Sequence, residues 1–202
     1  MDTARTPVRV HNPYLEAKLE ADQRLDGQPQ ASELEGWMEY IRTREQLVKK
    51  YAWAVPNDEA IAACVEAGPI VEVGAGLGYW AHLIVQAGGD VIAYDTEPDP
   101  ERNDYVDAEP WFQVHRGGAE AAGRHPDRAL MLIWPPYGEE MAAETLRHYE
   151  GDTVIYVGEG RGGCTGGDNF IEQLEERFEL VKTVHIPTWR MVHDHLTIWR
   201  RH

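Results

Sequence analysis

Three glycines at alternate positions, Gly74, Gly76 and Gly78, follow directly on the apolar run Ile70–Val73, and an acid, Glu72, interrupts that run. A chain leaving a buried parallel strand must turn sharply and pass close to whatever is bound there, and side chains obstruct both. The helix that follows such a turn presents free N–H groups and a positive dipole end. A second apolar run, Val91–Tyr94, closes on Asp95. An acid at that place accepts hydrogen bonds from both hydroxyls of a ribose. Strand, glycine turn, helix, strand and acid together predict a βαβ unit that binds a nucleoside-bearing ligand. The dinucleotide fingerprint Gly-x-Gly-x-x-Gly needs its third glycine where Tyr79 stands, so the spacing disfavours a nicotinamide dinucleotide.

The run Glu72-x-Gly74-x-Gly76-x-Gly78 resembles the first motif of the class I S-adenosylmethionine-dependent methyltransferases. The resemblance implies that Glu72 lies near the methionine end of S-adenosylmethionine, that Gly74, Ala75, Gly76 and Gly78 pack against the cofactor, and that Asp95 holds its ribose. A glycine turn in an unrelated α/β protein is the plain alternative.

A second stretch points the same way. Ala129–Ile133 has strand length and ends in Trp134-Pro135-Pro136-Tyr137-Gly138. Two prolines stop a strand and fix an extended turn at its carboxyl edge, where open parallel sheets bind ligands. The segment resembles the Asn/Asp-Pro-Pro-Tyr/Phe motif of amino-group methyltransferases, with Trp134 in place of the leading Asn or Asp. The family pattern implies that Trp134, Pro135 and Tyr137 form the wall between cofactor and substrate. A proline turn with two packed aromatics is the competing reading. In the family the loop after the third strand meets the adenine, which makes Gly118, Ala119 and Glu120 candidates; an ordinary solvated loop is the alternative.

The elements that must position these residues alternate. A helix over about Asp58–Glu66 precedes the first strand, and the helix after the glycine turn runs from Gly78 to about Gln86, stopped by Gly88-Gly89. A weaker third strand is expected at Phe112–Val114, the fourth at Ala129–Ile133, a helix over Glu139–Tyr149 and a fifth strand at Thr153–Val157. The glycine-rich segment Gly158–Gly167 is then either mobile or fitted closely around something. It offers Glu159, Arg161 and Thr165 on the substrate side, or is simply a surface loop. Asn169 and Glu172 are expected to cap the next helix, which carries Phe170, Leu174 and Phe178. Glu179–Ile186 and His195–Arg200 alternate apolar and polar residues as antiparallel strands do. A final antiparallel pair added to a mostly parallel sheet is what the class I methyltransferase fold has. The expected architecture is therefore α/β: a Rossmann-like, doubly wound, mostly parallel seven-stranded sheet with an antiparallel C-terminal strand, plus N-terminal helices.

Residues 1–57 read as an N-terminal helical extension and 58–202 as the cofactor-binding domain. One helix is expected around Tyr14–Leu25, a linker at residues 27–31, and a capping box at Ser32-Glu33-Leu34-Glu35. The helix it opens sets Leu34, Trp37, Met38, Ile41 and Val48 on one stripe, for packing against the sheet or as a lid over the cofactor. The aromatics of the segment Tyr51–Asn57 line the donor pocket or pack a hinge.

The reaction the resemblance implies is in-line attack of a substrate oxygen or nitrogen on the sulfonium methyl carbon, with S-adenosylhomocysteine leaving and alignment supplying most of the catalysis. Glu159 and a C-terminal histidine, His193 or His185, are the candidate bases, and oxygen methylation is where a base is needed. His193-x-His195 with Asp194 between falls short of the three or four ligands a metal needs, so no metal is expected. No Gly-x-Ser-x-Gly elbow appears.

Composition bounds the rest. With 19 basic and 35 acidic residues the net charge is −16, which repels a duplex and disfavours nucleic-acid substrates. Arg124/Arg128 and Arg200/Arg201 are the places where a local basic patch could form. A small molecule or a peptide is the expected substrate. No run reaches transmembrane length, the N-terminus lacks a secretory stretch, and Cys64 and Cys164 have no motif spacing, so a reduced, cytoplasmic chain is expected. Other readings stay open: a protein that binds S-adenosylmethionine without catalysis, an enzyme that turns the donor's own aminobutyl chain against the sulfonium, and, least favoured, an NAD-dependent oxidoreductase.

Overall fold

A computed structural model describes residues 9–27 and 33–202. Seven strands form one sheet: β1 (Ile70–Val73), β2 (Val91–Asp95), β3 (Val114–Arg116), β4 (Ala129–Ile133), β5 (Thr153–Gly158), β6 (Phe178–His185) and β7 (His195–Arg201). Their order is β3-β2-β1-β4-β5-β7-β6. β1 to β5 are mutually parallel, and β7 inserts antiparallel between β5 and β6.

The sheet separates two cores. On one face Ile70, Ala93, Met131 and Ile155 meet α3 (Asp58–Ala67) and α4 (Tyr79–Gln86) through residues such as Ile61, Cys64, Trp80 and Leu83. On the other, Val71, Val73, Leu130, Leu132 and Val154 meet a short 3-10 helix (Ala119–Arg124), α5 (Met141–His148) and α6 (Gly167–Arg177). Parallel strands covered on both faces must be apolar throughout, and β1 is buried at all four positions, its acid included.

The N-terminal helices α1 (Pro13–Asp26) and α2 (Glu33–Lys50) extend the first core. Tyr14, Tyr40, Tyr51, Tyr79, Trp111 and Trp189 form a continuous aromatic cluster joining both helices to α4 and the β6–β7 connection. The Tyr79 hydroxyl donates to Asn12 Oδ1 at 2.9 Å and thereby fixes the cap of α1. The residue that breaks the dinucleotide spacing is thus an anchor for the N-terminal helix.

Several local expectations are corrected. The stripe expected on α2 faces solvent: Leu34, Trp37, Met38 and Ile41 are exposed, and only Val48 of that set is buried. The buried side of α2 is Tyr40, Leu47 and Val48, because the Tyr40 ring packs on Trp189 and its hydroxyl bonds Asp22 of α1. Ser32, the first member of the expected capping box, lies outside the described residues, as do 28–31 of the expected linker. The third strand begins at Val114, after the expected Phe112, since Trp111 and Phe112 donate their N–H groups to Leu77 O and tie the chain to the glycine turn first. The fifth helix is shorter than expected and begins at Met141. α6 starts at Gly167 after a left-handed Gly166, so Asn169 lies inside it and donates to Glu140 instead of capping. No helix of the described residues is long and apolar enough to cross a membrane.

Candidate functional site

The chain rises through β1, winds outward to β2 and β3, then returns to β4 on the other side of β1. The crevice at that switch lies beyond the carboxyl ends of the strands. It holds a cavity of about 410 Å³. It is lined by Glu72 of β1 and Gly74–Gly76 after it, by Asp95 at the end of β2, and by Gly117 and Gly118 after β3. It is lined as well by Tyr51, Ala52 and Trp53 after α2, by Trp134–Tyr137 after β4, by Cys164, and by Met141, whose side chain lies against Gly74. Asn103, Asp104, Tyr105 and Val106 of the β2–β3 connection cover one side.

The glycine turn is built as its spacing requires. Gly74, Gly76 and Gly78 all adopt left-handed φ values, +78, +54 and +70°. At Gly78 a Cβ would also stand 2.8 Å from that of Phe112, so the position admits no side chain. The Gly76 N–H donates to Asp95 Oδ2 at 2.9 Å and the Glu97 N–H to Oδ1 at 3.0 Å, which fixes the carboxylate at the cavity edge. Burial raises the Asp95 pKa above the ordinary value despite those two N–H donors.

Glu72 is 2% exposed, and Oε2 has no hydrogen-bond partner among the described residues. Burial first, and then the neighbouring Asp95, push its pKa up to about 8. A buried carboxyl with an unpaired oxygen costs free energy unless a ligand meets it. Glu72 is thus a buried carboxyl on the cavity lining with one oxygen unpaired among the described residues.

At the far end Trp134 has φ +49°, a left-handed conformation in a bulky residue, and its ring stacks on Trp53 at 5.2 Å and 17°. The glycine-rich segment after β5 wraps this turn: Thr165 bridges to Pro136, and the Gly166 N–H donates to Pro135 O at 2.9 Å. Gly160, Arg161, Gly162 and Cys164 in the same segment are exposed.

The candidate bases sit apart from the cavity. Glu159 Oε2 accepts from the Cys164 N–H and Oε1 from the His193 N–H, at 2.9 and 2.8 Å. Burial pulls its pKa up, but the Cys164 and His193 donors outweigh that and hold it below the usual carboxylate range. Glu159 organises two loops. The His193 side chain is 82% exposed, and His185 packs edge-on against His195. Arg161 is exposed and paired with Glu172 and Glu175. Thr165 is buried against Tyr156. Tyr137 lines the cavity mouth and is 60% exposed. Gly118 lines the cavity; Ala119 and Glu120 lie beyond it, with Glu120 bonded to the Gly118 N–H and to Arg124. Arg128 pairs with Asp90 and Arg200 with Asp152, while Arg201 lies over the Phe178 ring. The described residues contain no group of three His, Cys, Asp or Glu able to hold a metal.

Asp194 is the group that sequence reasoning missed. It is 3% exposed, between two histidines that drew attention away from it. Burial raises its pKa to about 6, Trp134 lowers it in part, and Glu159 raises it again.

The order β3-β2-β1-β4-β5-β7-β6, with β7 antiparallel, decides the architecture. The chain has the class I methyltransferase fold. No protein-family model matches the sequence, and no curated protein matches it. Solved structures do resemble it. A variant of MtNAS in complex with S-adenosylmethionine is 16% identical over 93% of this chain and 74% of that one, with a TM-score of 0.48. Magnesium protoporphyrin IX methyltransferase from Synechocystis, with bound S-adenosylmethionine, is 12% identical over 98% of this chain and 100% of that one, at 0.47. A TehB-like S-adenosylmethionine-dependent methyltransferase from Corynebacterium glutamicum is 15% identical over 70% and 87%, at 0.42.

Proposed function

We propose that the cavity binds S-adenosylmethionine and that the protein transfers its methyl group to an oxygen or nitrogen of a small molecule or peptide. One observation carries the reading. A buried, unpaired Glu72 and an N–H-braced Asp95 stand on adjacent strand ends around a left-handed glycine turn, in the cavity that ends at the aromatic wall. Asp95 takes the ribose hydroxyls, Gly74–Gly76 pack along the ligand, and Glu72 meets the cationic methionine portion. Gly118 lies on the adenine side. The residues present thus fit the donor, which supplies the electrophilic methyl group.

The protein's part is alignment and exclusion of water. Pro135 and the stacked Trp53 and Trp134 present a rigid face to the acceptor, and Tyr137 stands at the mouth, where rings favour a cation or a flat group. Val48, Tyr51 and Ala52, which lead up to Trp53, line the cavity beside that stack. The net charge of −16 continues to disfavour nucleic acid as the acceptor.

Trp134 in the place of an amine-binding Asn or Asp favours a second reading, in which the donor's own aminobutyl chain displaces the sulfur. Chromatography of the nucleoside products after incubation with S-adenosylmethionine and a panel of phenols and amines separates these. S-adenosylhomocysteine with a methylated acceptor is the expected result. Methylthioadenosine replaces methyl transfer with intramolecular displacement, and intact donor leaves a binding protein.

A further inference from the structure

The core leaves one apolar stripe of α2 uncovered. Leu34, Trp37, Met38 and Ile41 are all exposed. Positions three and four apart are neighbours on a helix, so the four side chains form one continuous patch. Trp37 is held in place on it, edge-on to the buried Tyr40 ring at 5.9 Å and 81°. A braced, exposed indole is the kind of anchor on which protein interfaces centre, and an apolar patch rimmed by charge marks an interaction surface. Two features say what covers it. The spacing 34, 37, 38, 41 reads the same from either end. Turning the helix end for end about the point between Trp37 and Met38 therefore lays Leu34 on Ile41 and Trp37 on Met38. Self-complementarity under a two-fold rotation is what an interface between identical chains requires. The charges beside the stripe obey the same symmetry. Glu35 and Arg42 are exposed, and neither makes an ion pair among the described residues. Seven residues is close to two full turns, so both lie on one flank of the stripe. A two-fold axis that runs the helices antiparallel sets this flank against the same flank of the copy. The partner's Arg42 then stands opposite position 33, about 3 Å along the axis from Glu35.

We propose that α2 is a self-association surface: two copies of the chain pack antiparallel through Leu34, Trp37, Met38 and Ile41, with Glu35 of each against the partner's Arg42. The inference is independent of what the cavity binds. A membrane is the poorer occupant. Helices that lie on lipid carry Lys and Arg around their apolar face, whereas Glu35, Glu39 and Glu45 are exposed on this one and the chain carries a net −16. That net charge also acts between two copies, but at about 0.15 M salt it is screened beyond about 8 Å, while groups in contact still attract. Exposed ion pairs add little affinity and fix orientation, so the apolar patch carries the association and the Glu35–Arg42 pairs select the antiparallel arrangement. Four side chains and their flanks make a smaller interface than the roughly 20–30 residues a side of a standard one, so the dimer dissociates in the micromolar range or above.

Sedimentation of the full chain over a concentration series up to about 0.5 mM tests this. The wild-type chain should pass from monomer to dimer and stop there, since a two-fold contact closes on itself. Ile41→Lys places a charge in the patch at an exposed position, so it should weaken association at least about tenfold while the monomer unfolds as before. Arg42→Glu and Glu35→Arg each set like charges across the axis and should weaken the dimer several-fold. The double variant Glu35→Arg/Arg42→Glu restores opposite charges and should return the Kd to within about twofold of wild type. A misfolded chain cannot give that rescue. A wild-type chain that stays monomeric throughout overturns the proposal, as does a dimer indifferent to Ile41→Lys. A double variant no better than its parents overturns the antiparallel pairing. A monomer that floats with phosphatidylcholine vesicles through the same four residues gives the face to a membrane and overturns the proposal as well.

Discussion

Glu72 occupies the third position of a strand whose other three residues are apolar, and it is as buried as they are. With a folded pKa near 8 against an ordinary 4.5, the carboxyl keeps its proton in the folded state over a window where the unfolded chain has lost it. Its contribution to stability is full below pH 4.5 and is lost as pH rises through 8. Binding a cationic donor needs the anion, so it releases a proton. S-adenosylmethionine should therefore bind more tightly as pH rises from 6 to 8, by at most about tenfold per pH unit, and Glu72→Gln should flatten that slope in calorimetric titrations. The same variant should weaken binding about 10- to 100-fold, the worth of a hydrogen bond to a charged group. Asp95→Ala acts at the ribose, away from the sulfur, so it should weaken S-adenosylmethionine and S-adenosylhomocysteine by equal factors. Unequal factors would place Asp95 elsewhere along the ligand.

At the scale of elements, the glycine turn and the proline turn were legible because a few residue types at fixed spacing dictate the backbone there. The strands β1, β4 and β5 were legible because burial on both faces leaves a mostly apolar run, broken in β1 only by Glu72. α2 was not. Its apolar side chains fall on two faces, and periodicity could not say that the face holding Tyr40 and Val48 is the one turned inward. What decides it is tertiary: the Tyr40 hydroxyl donates to Asp22 of α1 and accepts from the Arg190 N–H of the β6–β7 connection. Tyr40→Phe removes both bonds at once and should cost roughly 1–3 kcal/mol in denaturant unfolding, with no change in donor affinity. Asp194 escaped for a related reason. Nothing local distinguishes a buried aspartate from a solvated one in a polar loop, and Asp194 is 3% exposed. Glu159, expected as a base on the substrate side, is instead off the cavity lining and engaged by two backbone N–H groups, which nothing in its position signalled.

For the whole molecule, the sheet order sets β1 beside β4, so the glycine turn and the proline turn line one cavity although they lie far apart in the chain. A ligand that binds only the folded chain stabilises it. At 100 times Kd the gain is about 2.7 kcal/mol, or roughly 5–10 °C in Tm for a chain of this size, and thermal denaturation with S-adenosylhomocysteine should show it. The net charge of −16 predicts no shift of a DNA duplex at about 0.15 M salt in a mobility assay, since the described arginines of the suggested patches are already paired with acids or an aromatic ring. The central claim concerns which ligand the crevice takes, and calorimetric titration of the full chain with S-adenosylmethionine, S-adenosylhomocysteine and NADH tests it most directly. Micromolar binding of the two sulfur ligands and none of NADH is the predicted result. Binding of NADH alone, or of none of the three, would contradict the account.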